Sequence, residues 1–124
     1  MSNTSPEYEI KTDTLMHAAD EFFDIVKIGD EHTPWWNRTL CAVNNAWVRP
    51  GVMEGDFHWQ KRDDEDEFFL VLEGHLDFEL EDRMVSLKPR QAFTVPKGVT
   101  HFPHARERSV VLMVEQDGVV PMGN

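Results

Sequence analysis

The chain has 124 residues, of which 40% are hydrophobic, and its formal net charge is −11. That length suits one hydrophobic core, and the acidic surface argues against nucleic-acid and membrane partners because it repels phosphate groups. No apolar run approaches the roughly 18 residues of a membrane span, the first residues lack a signal-peptide pattern, and the lone Cys41 excludes an intramolecular disulfide framework. We therefore expect one cytoplasmic domain.

The N-terminal region contains one helical pattern. Residues 1–13 are polar, and we expect a flexible tail there, followed by a single domain over residues 14–124. Between residues 14 and 25, the apolar side chains stand at positions 15, 18, 19, 22 and 25. This spacing predicts a short helix that lies against the body of the domain.

From residue 38 onward the apolar pattern has a period of two, which is typical of β-strands. The predicted strands cover residues 38–43, 46–49, 57–62, 67–72, 75–80, 84–87, 92–95, 100–103 and 109–114. Asn44 and Asn45 lie between the first two and predict a tight hairpin, because asparagine tolerates positive φ angles. Short strands separated by Gly, Pro and Asn turns predict an all-β barrel or sandwich.

Two of these strands indicate which faces are buried. In the strand at 67–72, Phe68, Leu70 and Leu72 are apolar on the face opposite Glu67. Both faces should therefore be covered, in a central strand or at a dimer interface. The strand at 75–80 alternates, with the even positions predicted to face the core and residues 75, 77 and 79 predicted to face water.

Two short motifs have the most specific spacing. In the first, six residues separate Glu67 from Gly74, and in the second, Pro96, Gly98 and His101 form Pro-x-Gly-x-x-His. Both spacings resemble those of the cupin superfamily, in which a His-x-His pair precedes the glutamate of the first motif. Over residues 38–118 the chain is similar to the short single-domain cupins often labelled mannose-6-phosphate-isomerase-like or RmlC-like.

The resemblance implies an all-β double-stranded β-helix, the jelly-roll or cupin barrel, with Glu67 and His101 facing its interior. Cupins hold a divalent metal such as Fe, Mn, Ni, Zn or Cu with three histidines and one glutamate, and the open metal positions take water or substrate. Cupins often form dimers, so we also expect a homodimer.

The sequence departs from the family pattern at the metal-binding positions. Counting back from Glu67, the two histidines of the first motif fall on Gln60 and Arg62, and the turn glycine of the second motif falls on Arg90. An amide oxygen is a weak neutral ligand, and an arginine has no lone pair to give a metal. Two of the four family ligands are therefore weakened or absent.

The sequence leaves two arrangements of the site open. In one, His58 replaces a lost ligand and a metal is held by His58, Gln60, Glu67 and His101. In the other, which we favour, the site is metal-free and Arg62 pairs with Glu67 or binds an anionic ligand. A guanidinium and a divalent cation a few ångströms apart repel each other strongly.

Three functions are compatible with these patterns. The leading hypothesis is a cupin with an interior polar pocket, in which His58, Gln60 and Arg62 hold a polar or anionic small molecule. Glu67 or His101 would move a proton, as an isomerase or cyclase requires. The alternatives are a metal-dependent oxygenase or lyase and a sensory or binding module without catalysis.

Overall fold

The computed structural model of the protein describes residues 9–11 and 14–116. Its elements in chain order are β1 (Glu9–Lys11), α1 (Ile25–Asp30), β2 (Trp36–Arg38), β3 (Cys41–Val43), β4 (Ala46–Asp56), β5 (Glu67–Glu73), β6 (Leu76–Glu79), β7 (Met84–Leu87), β8 (Ala92–Val95) and β9 (Phe102–Gln116). None of the helical structure within these residues is long and apolar enough to cross a membrane.

The longest strand, β9, connects two layers of a nine-stranded sheet. Its residues 102–105 pair with β6, and its residues 110–114 pair with β5. Strand β4 runs antiparallel to β9. Its register shifts between Met53, which pairs with Ser109, and Gly55, which pairs with Ala105, so residues 106–108 of β9 have no paired residue in β4. Such an irregularity increases local twist and lets a strand bend from one layer to the other. The all-β jelly-roll class with one short helix is confirmed.

The hydrophobic core lies between these layers. Phe69 and Val71 of β5, Phe78 of β6 and Val111 of β9 are at most 2% exposed and belong to one apolar cluster. Leu76 and Leu80 are buried as well, so the even positions of the strand at 75–80 face the core as predicted.

The short helix lies later in the chain than predicted. Residues 14–24 are irregular, and α1 begins after Asp24, whose side chain accepts a hydrogen bond from the Lys27 N–H. Asp20 has a φ of 74°, which a helix does not allow, and the backbone N–H of Met16 donates to Thr39. The prediction of a helix over 14–25 was wrong because its predicted apolar face is not buried: Phe22, which lies on that face, is 95% exposed.

The predicted hairpin is confirmed, with Val43 pairing with Ala46 and Asn44 at a φ of 54°. The strand predicted over residues 57–62 was wrong, because β4 ends at Asp56 and the following segment forms no continuous ladder, with backbone hydrogen bonds at Phe57, Gln60 and Arg62 alone among its residues in the described structure. Those at Gln60 form an isolated bridge with His101. Residues 102 and 103 of the piece predicted at 100–103, and all of the strand predicted at 109–114, belong to the single strand β9.

One outward-facing position was also predicted incorrectly. Asp77 is only 5% exposed, because its carboxylate is paired with neighbouring side chains. Arg106 donates to it through Nε at 2.7 Å and Nη2 at 3.3 Å, and His75 Nε2 lies 3.2 Å away, which leaves His75 half-buried rather than solvated.

Two further expectations stay predictions. Phe68, Leu70 and Leu72 are half-buried on a central strand that pairs with β8 and β9, and the homodimer predicted from this face is an assembly that a single chain does not test. Within the predicted N-terminal tail, Glu9–Lys11 pairs in parallel with β2, and residues 1–8, 12 and 13 lie outside the described residues.

Candidate functional site

Six polar or charged side chains are buried together inside the barrel. They come from β4, β5 and β9 and from the two segments that the Gln60–His101 bridge joins, and they are Arg49, Gln60, Arg62, Glu67, His101 and Glu115. Each is at most 7% exposed. Burying a charge is unfavourable unless it is paired or hydrogen-bonded, so the contacts among these six side chains determine whether the fold tolerates them.

Strand register brings the two glutamates together. Phe68 pairs with Val114 and Phe69 with Met113, so the next inward position on each strand places Glu67 beside Glu115. Arg49 pairs with Met113, one inward position away from Glu115. Because side chains two residues apart share a face of a strand, all three point into the barrel.

Backbone hydrogen bonds hold the other members in place. Gln60 and His101 exchange two backbone hydrogen bonds of 2.9 Å, and the Gly98 N–H donates to the Arg62 carbonyl at 2.6 Å. The Pro96–His101 loop is thereby fastened to the segment that carries Gln60 and Arg62. The two motifs that are distant in sequence form one site.

The two arginines are engaged by the two glutamates. Arg62 Nη2 lies 3.5 Å from Glu67 Oε2 and 3.8 Å from Glu115 Oε1. Arg49 donates through Nη1 to Glu115 Oε2 and through Nε to Thr39 Oγ1 at 3.2 Å. The predicted pairing of Arg62 with Glu67 is therefore present, within a larger network that includes Arg49 and Glu115.

His101 places a ring nitrogen in front of Glu67. Its Nδ1 is 3.0 Å from the Val99 carbonyl, and its Nε2 is 3.7 Å from Glu67 Oε1. Because a carbonyl oxygen only accepts hydrogen bonds, Nδ1 carries a hydrogen. In the neutral ring Nε2 then carries a lone pair and is an acceptor, whereas in the imidazolium it is a second donor. A proton at Nε2 or at Glu67 Oε1 would therefore lie in the gap between them.

The two glutamates differ in how readily they lose a proton. Burial acts to raise the pKa of Glu67, but its interactions with His101 and Arg62 outweigh burial and hold that pKa below the usual value. Burial, followed by the negative charge of Glu67, raises the pKa of Glu115 to about 8. Two carboxyl groups in contact avoid ionising together, so near neutral pH the pair holds one proton, on the Glu115 side.

A cavity of about 40 Å³, which opens to solvent at its mouth, lies beside Glu67. Its wall is mainly apolar and aromatic and includes Trp35, Trp36, Met53, Phe57, Phe69 and Met113. The polar side chains on it are Asn37, Gln60 and Glu67, and neither arginine of the buried network is among the lining residues. Glu67 is thus the charged group that the network presents to this cavity.

Comparisons with known proteins agree with the motifs. The profile of the cupin domain matches residues 48–115, more than half of the chain. The chain belongs to the cupin family. The uncharacterized Bacillus subtilis protein YdbB is 36% identical to this cupin over 80 residues, which cover 64% of this chain and 71% of the relative.

Solved structures share the fold. A cupin-2 domain protein from Shewanella frigidimarina has 27% sequence identity and a TM-score of 0.72, with 76% of this chain and 93% of that chain covered. BH2720 from Bacillus halodurans has 16% identity and a TM-score of 0.69, with coverages of 90% and 92%. At 16% identity, the similarity to BH2720 concerns the fold alone.

The residues of this cupin do not fit the divalent metal that the family implies. Among residues 14–116, no group of three or more His, Cys, Asp or Glu side chains is arranged to hold a metal ion. Glu67 and His101 are the family donors that remain, and the Arg62 guanidinium, a cation without a lone pair, lies 3.5 Å from Glu67. The four-ligand set of His58, Gln60, Glu67 and His101 is therefore not supported.

His58 is the predicted site residue that the structure places elsewhere. Its ring stacks on Phe57 with centroids 4.0 Å apart, its Nδ1 lies 3.1 Å from the Trp59 carbonyl, and it does not line the cavity. The prediction assumed that residues 58, 60 and 62 share a strand face, and that segment is not a strand. His58 therefore neither replaces a ligand nor holds one in the cavity.

Sequence reasoning missed Arg49, Glu115 and Asn37. Glu115 follows Val111 and Met113 at intervals of two on an apolar strand, and that alternation was a usable signal for an inward carboxylate. Arg49 offers the same signal only once its pairing with Met113 is known. Asn37 lies on β2, where the sequence predicted no strand before residue 38.

Proposed function

We propose that this cupin binds a small organic molecule in the cavity beside Glu67 and that Glu67 can exchange a proton with it. The observation that carries the proposal is Glu67 Oε1, a buried carboxylate oxygen on a residue that lines an otherwise largely apolar cavity. His101 Nε2 faces this oxygen at 3.7 Å, which is beyond hydrogen-bond distance, and both atoms are left without a hydrogen-bond partner among the described residues. Leaving such an oxygen unsatisfied costs stability, and exceptions of this kind call for an explanation such as ligand binding.

The neighbours of Glu67 are suited to proton exchange. Its lowered pKa keeps it ionised at neutral pH, so it is available as a base, while His101 Nε2 at 3.7 Å can receive or return a proton. A base of this kind can remove a proton from a bound molecule and replace it elsewhere, as an isomerase does. Arg62, predicted either to pair with Glu67 or to bind an anionic ligand, lies 3.5 Å from Glu67 and supports its ionised state.

The binding part of the proposal is tested by a ligand-detected NMR fragment screen. Gly51→Ala is the informative variant, because a Cβ at Gly51 would lie 2.9 Å from Met113 Cε and 3.0 Å from Met53 Cε. Both methionines line the cavity, so their displaced ends should narrow it. Fragments should bind the natural protein and an exposed β4 control, Glu54→Ala, and should lose affinity for Gly51→Ala; a screen without cavity-dependent binders would rule out the proposal.

The proton-exchange part has a separate readout. Bound fragments with an acidic C–H should incorporate deuterium from D₂O faster in the presence of the protein, and Glu67→Gln should abolish the acceleration while preserving the shape of the cavity. Binding without any deuterium incorporation would instead identify a binding module without catalysis.

A further inference from the structure

Three buried oxygens on residues of the cavity wall lack a hydrogen-bond partner within the described part of the chain. Asn37 Oδ1, Gln60 Oε1 and Glu67 Oε1 are all buried and have no partner at hydrogen-bond distance among the described residues, since His101 Nε2 stops 3.7 Å short of Glu67 Oε1. All three residues line the same cavity. Gln60 and Glu67 are 4% and 3% exposed, so bulk water does not compensate them. Buried polar groups are nearly always hydrogen-bonded in folded proteins, and three exceptions around one space indicate that an occupant supplies the partners.

The chemistry of the three oxygens restricts that occupant. An amide can present either its oxygen or its nitrogen after a half-turn, so Asn37 and Gln60 can accept or donate. An ionised carboxylate can only accept, and the pKa of Glu67 is held below its usual value. The group that faces Glu67 must therefore bring a hydrogen to donate, and an anion there would be repelled.

The remaining wall specifies the body of the occupant. Trp35 and Phe57 lie with ring centroids 5.2 Å apart, and Trp36, Phe69 and Met113 are at most 3% exposed. Aromatic and methionine walls bind flat, apolar groups through stacking and sulfur–ring contacts. Arg49 and Arg62, whose charges would attract an anion, are engaged by Glu67 and Glu115 and do not line the cavity.

We infer that the ligand of this cavity is a small, flat, largely apolar molecule, such as an aromatic ring, that carries an uncharged hydroxyl or amine donor directed at Glu67. This inference rests on the proposed function, because it assigns the chemical class of the molecule bound there. It replaces the anionic ligand that the sequence had suggested through Arg62.

The test compares three ring compounds of similar size: phenol, toluene and benzoate. Each is titrated into ¹⁵N-labelled protein, and the shifts of the Trp35 and Trp36 indole N–H signals and of the Asn37 and Gln60 amide signals locate the binding. Phenol should bind at least about tenfold more tightly than toluene, because a hydrogen bond to a charged acceptor is worth that ratio or more. Benzoate should bind no more tightly than toluene.

Three variants separate the polar contacts from cavity shape. Gln60→Met and Asn37→Leu remove one polar partner each and should weaken phenol by roughly threefold to tenfold while leaving toluene unchanged. Met113→Leu alters the wall without altering its polarity and should change phenol and toluene alike. Glu67→Gln removes the negative charge and supplies a donor, so benzoate should gain affinity relative to phenol in that variant.

The outcomes are distinct. Benzoate as the tightest ligand of the natural protein would overturn the inferred class and leave the binding proposal in place, as would equal affinities for phenol and toluene. Cavity shifts from none of the three at millimolar concentration would overturn the inferred class, and if the fragment screen were also negative, the proposed function would fail with it.

Discussion

Arg90 stands where the second cupin motif has a glycine, and its backbone retains a conformation typical of glycine. Its φ is +73°, in the left-handed region where a Cβ crowds the following carbonyl oxygen and costs about 1–2 kcal/mol. The turn is held on both sides, because the Arg90 N–H donates to Val71 at 2.7 Å and the Gln91 N–H donates to Lys88 at 3.0 Å. The fold therefore keeps the turn although the residue has changed.

Replacing this residue should accordingly stabilise the protein. Arg90→Gly removes the crowding but adds backbone freedom to the unfolded chain, which costs roughly 0.5–1 kcal/mol, so a net gain of up to about 1 kcal/mol is expected from urea unfolding. Arg90→Ala keeps the Cβ and serves as the matched control, with little change expected. A destabilised Arg90→Gly beside an unaffected Arg90→Ala would contradict the strain argument.

At the scale of elements, α1 has only six residues and cannot be stable by itself. It is held by its contacts with β9. A Cβ at Gly29 would lie 2.8 Å from Val110 Cγ1, so the helix packs directly on that strand. Arg108 Nη2 donates to the Gly29 carbonyl at 2.8 Å and to the His32 carbonyl at 2.7 Å. At Gly29 this adds to the backbone hydrogen bond from the His32 N–H at 3.1 Å, so the C-terminal end of the helix is tied to β9.

Arg108→Ala should release this end of the helix. Two hydrogen bonds from a charged donor are lost, so the free energy of unfolding should fall by about 1–3 kcal/mol, and the amides of residues 28–32 should exchange faster with D₂O. Arg108→Lys retains the charge but not the paired geometry, and should recover only part of the stability. Unchanged exchange in Arg108→Ala would show that packing of Gly29 alone holds α1.

The elements also show what the sequence could predict and why. Alternation identified the strand at Leu76–Glu79, because a strand with one buried face has a period of two. The helix predicted from apolar spacing over residues 14–25 was wrong. Such spacing shows that apolar side chains could share one face of a helix, but it does not show whether another element covers that face, and Phe22 is exposed. The burial of Asp77 depends on Arg106, a residue that reaches it across the sheet and that no local pattern connects to it.

Some residues of the candidate site could also be predicted from the sequence, and others could not. Motif spacing located Glu67, His101, Gln60 and Arg62, because the turn lengths of the barrel fix that spacing. Glu115, by contrast, takes its importance from cross-strand register, which places it beside Glu67. Sequence reasoning therefore located Glu67, one member of the proton-sharing pair, whereas the role of Glu115 follows from the pairing of β5 with β9.

At the scale of the whole molecule, this pair predicts how stability depends on pH. Folding raises the pKa of Glu115 from 4.5 to about 8, so between these values the folded protein holds a proton that the unfolded chain has released. Stability from this group is therefore fully present below about pH 4.5 and is lost as the pH rises to about 8. Glu67 acts in the opposite direction: its lowered pKa stabilises the fold above pH 4.5, and this contribution is lost as the pH falls further.

The natural protein should accordingly be most stable in mildly acidic solution, and Glu115→Gln tests the cause. The free-energy difference between the natural protein and Glu115→Gln should fall with rising pH between about 4.5 and 8, with a slope of at most about 1.4 kcal/mol per pH unit. Urea unfolding at several pH values measures it. Repulsion among the acidic surface groups also lowers the free energy of unfolding as the pH rises. Glu54→Gln, on the exposed side of β4, is therefore the control for removing one negative charge. If Glu115→Gln and Glu54→Gln gave the same pH dependence, the decline would belong to the surface charge and not to the buried pair.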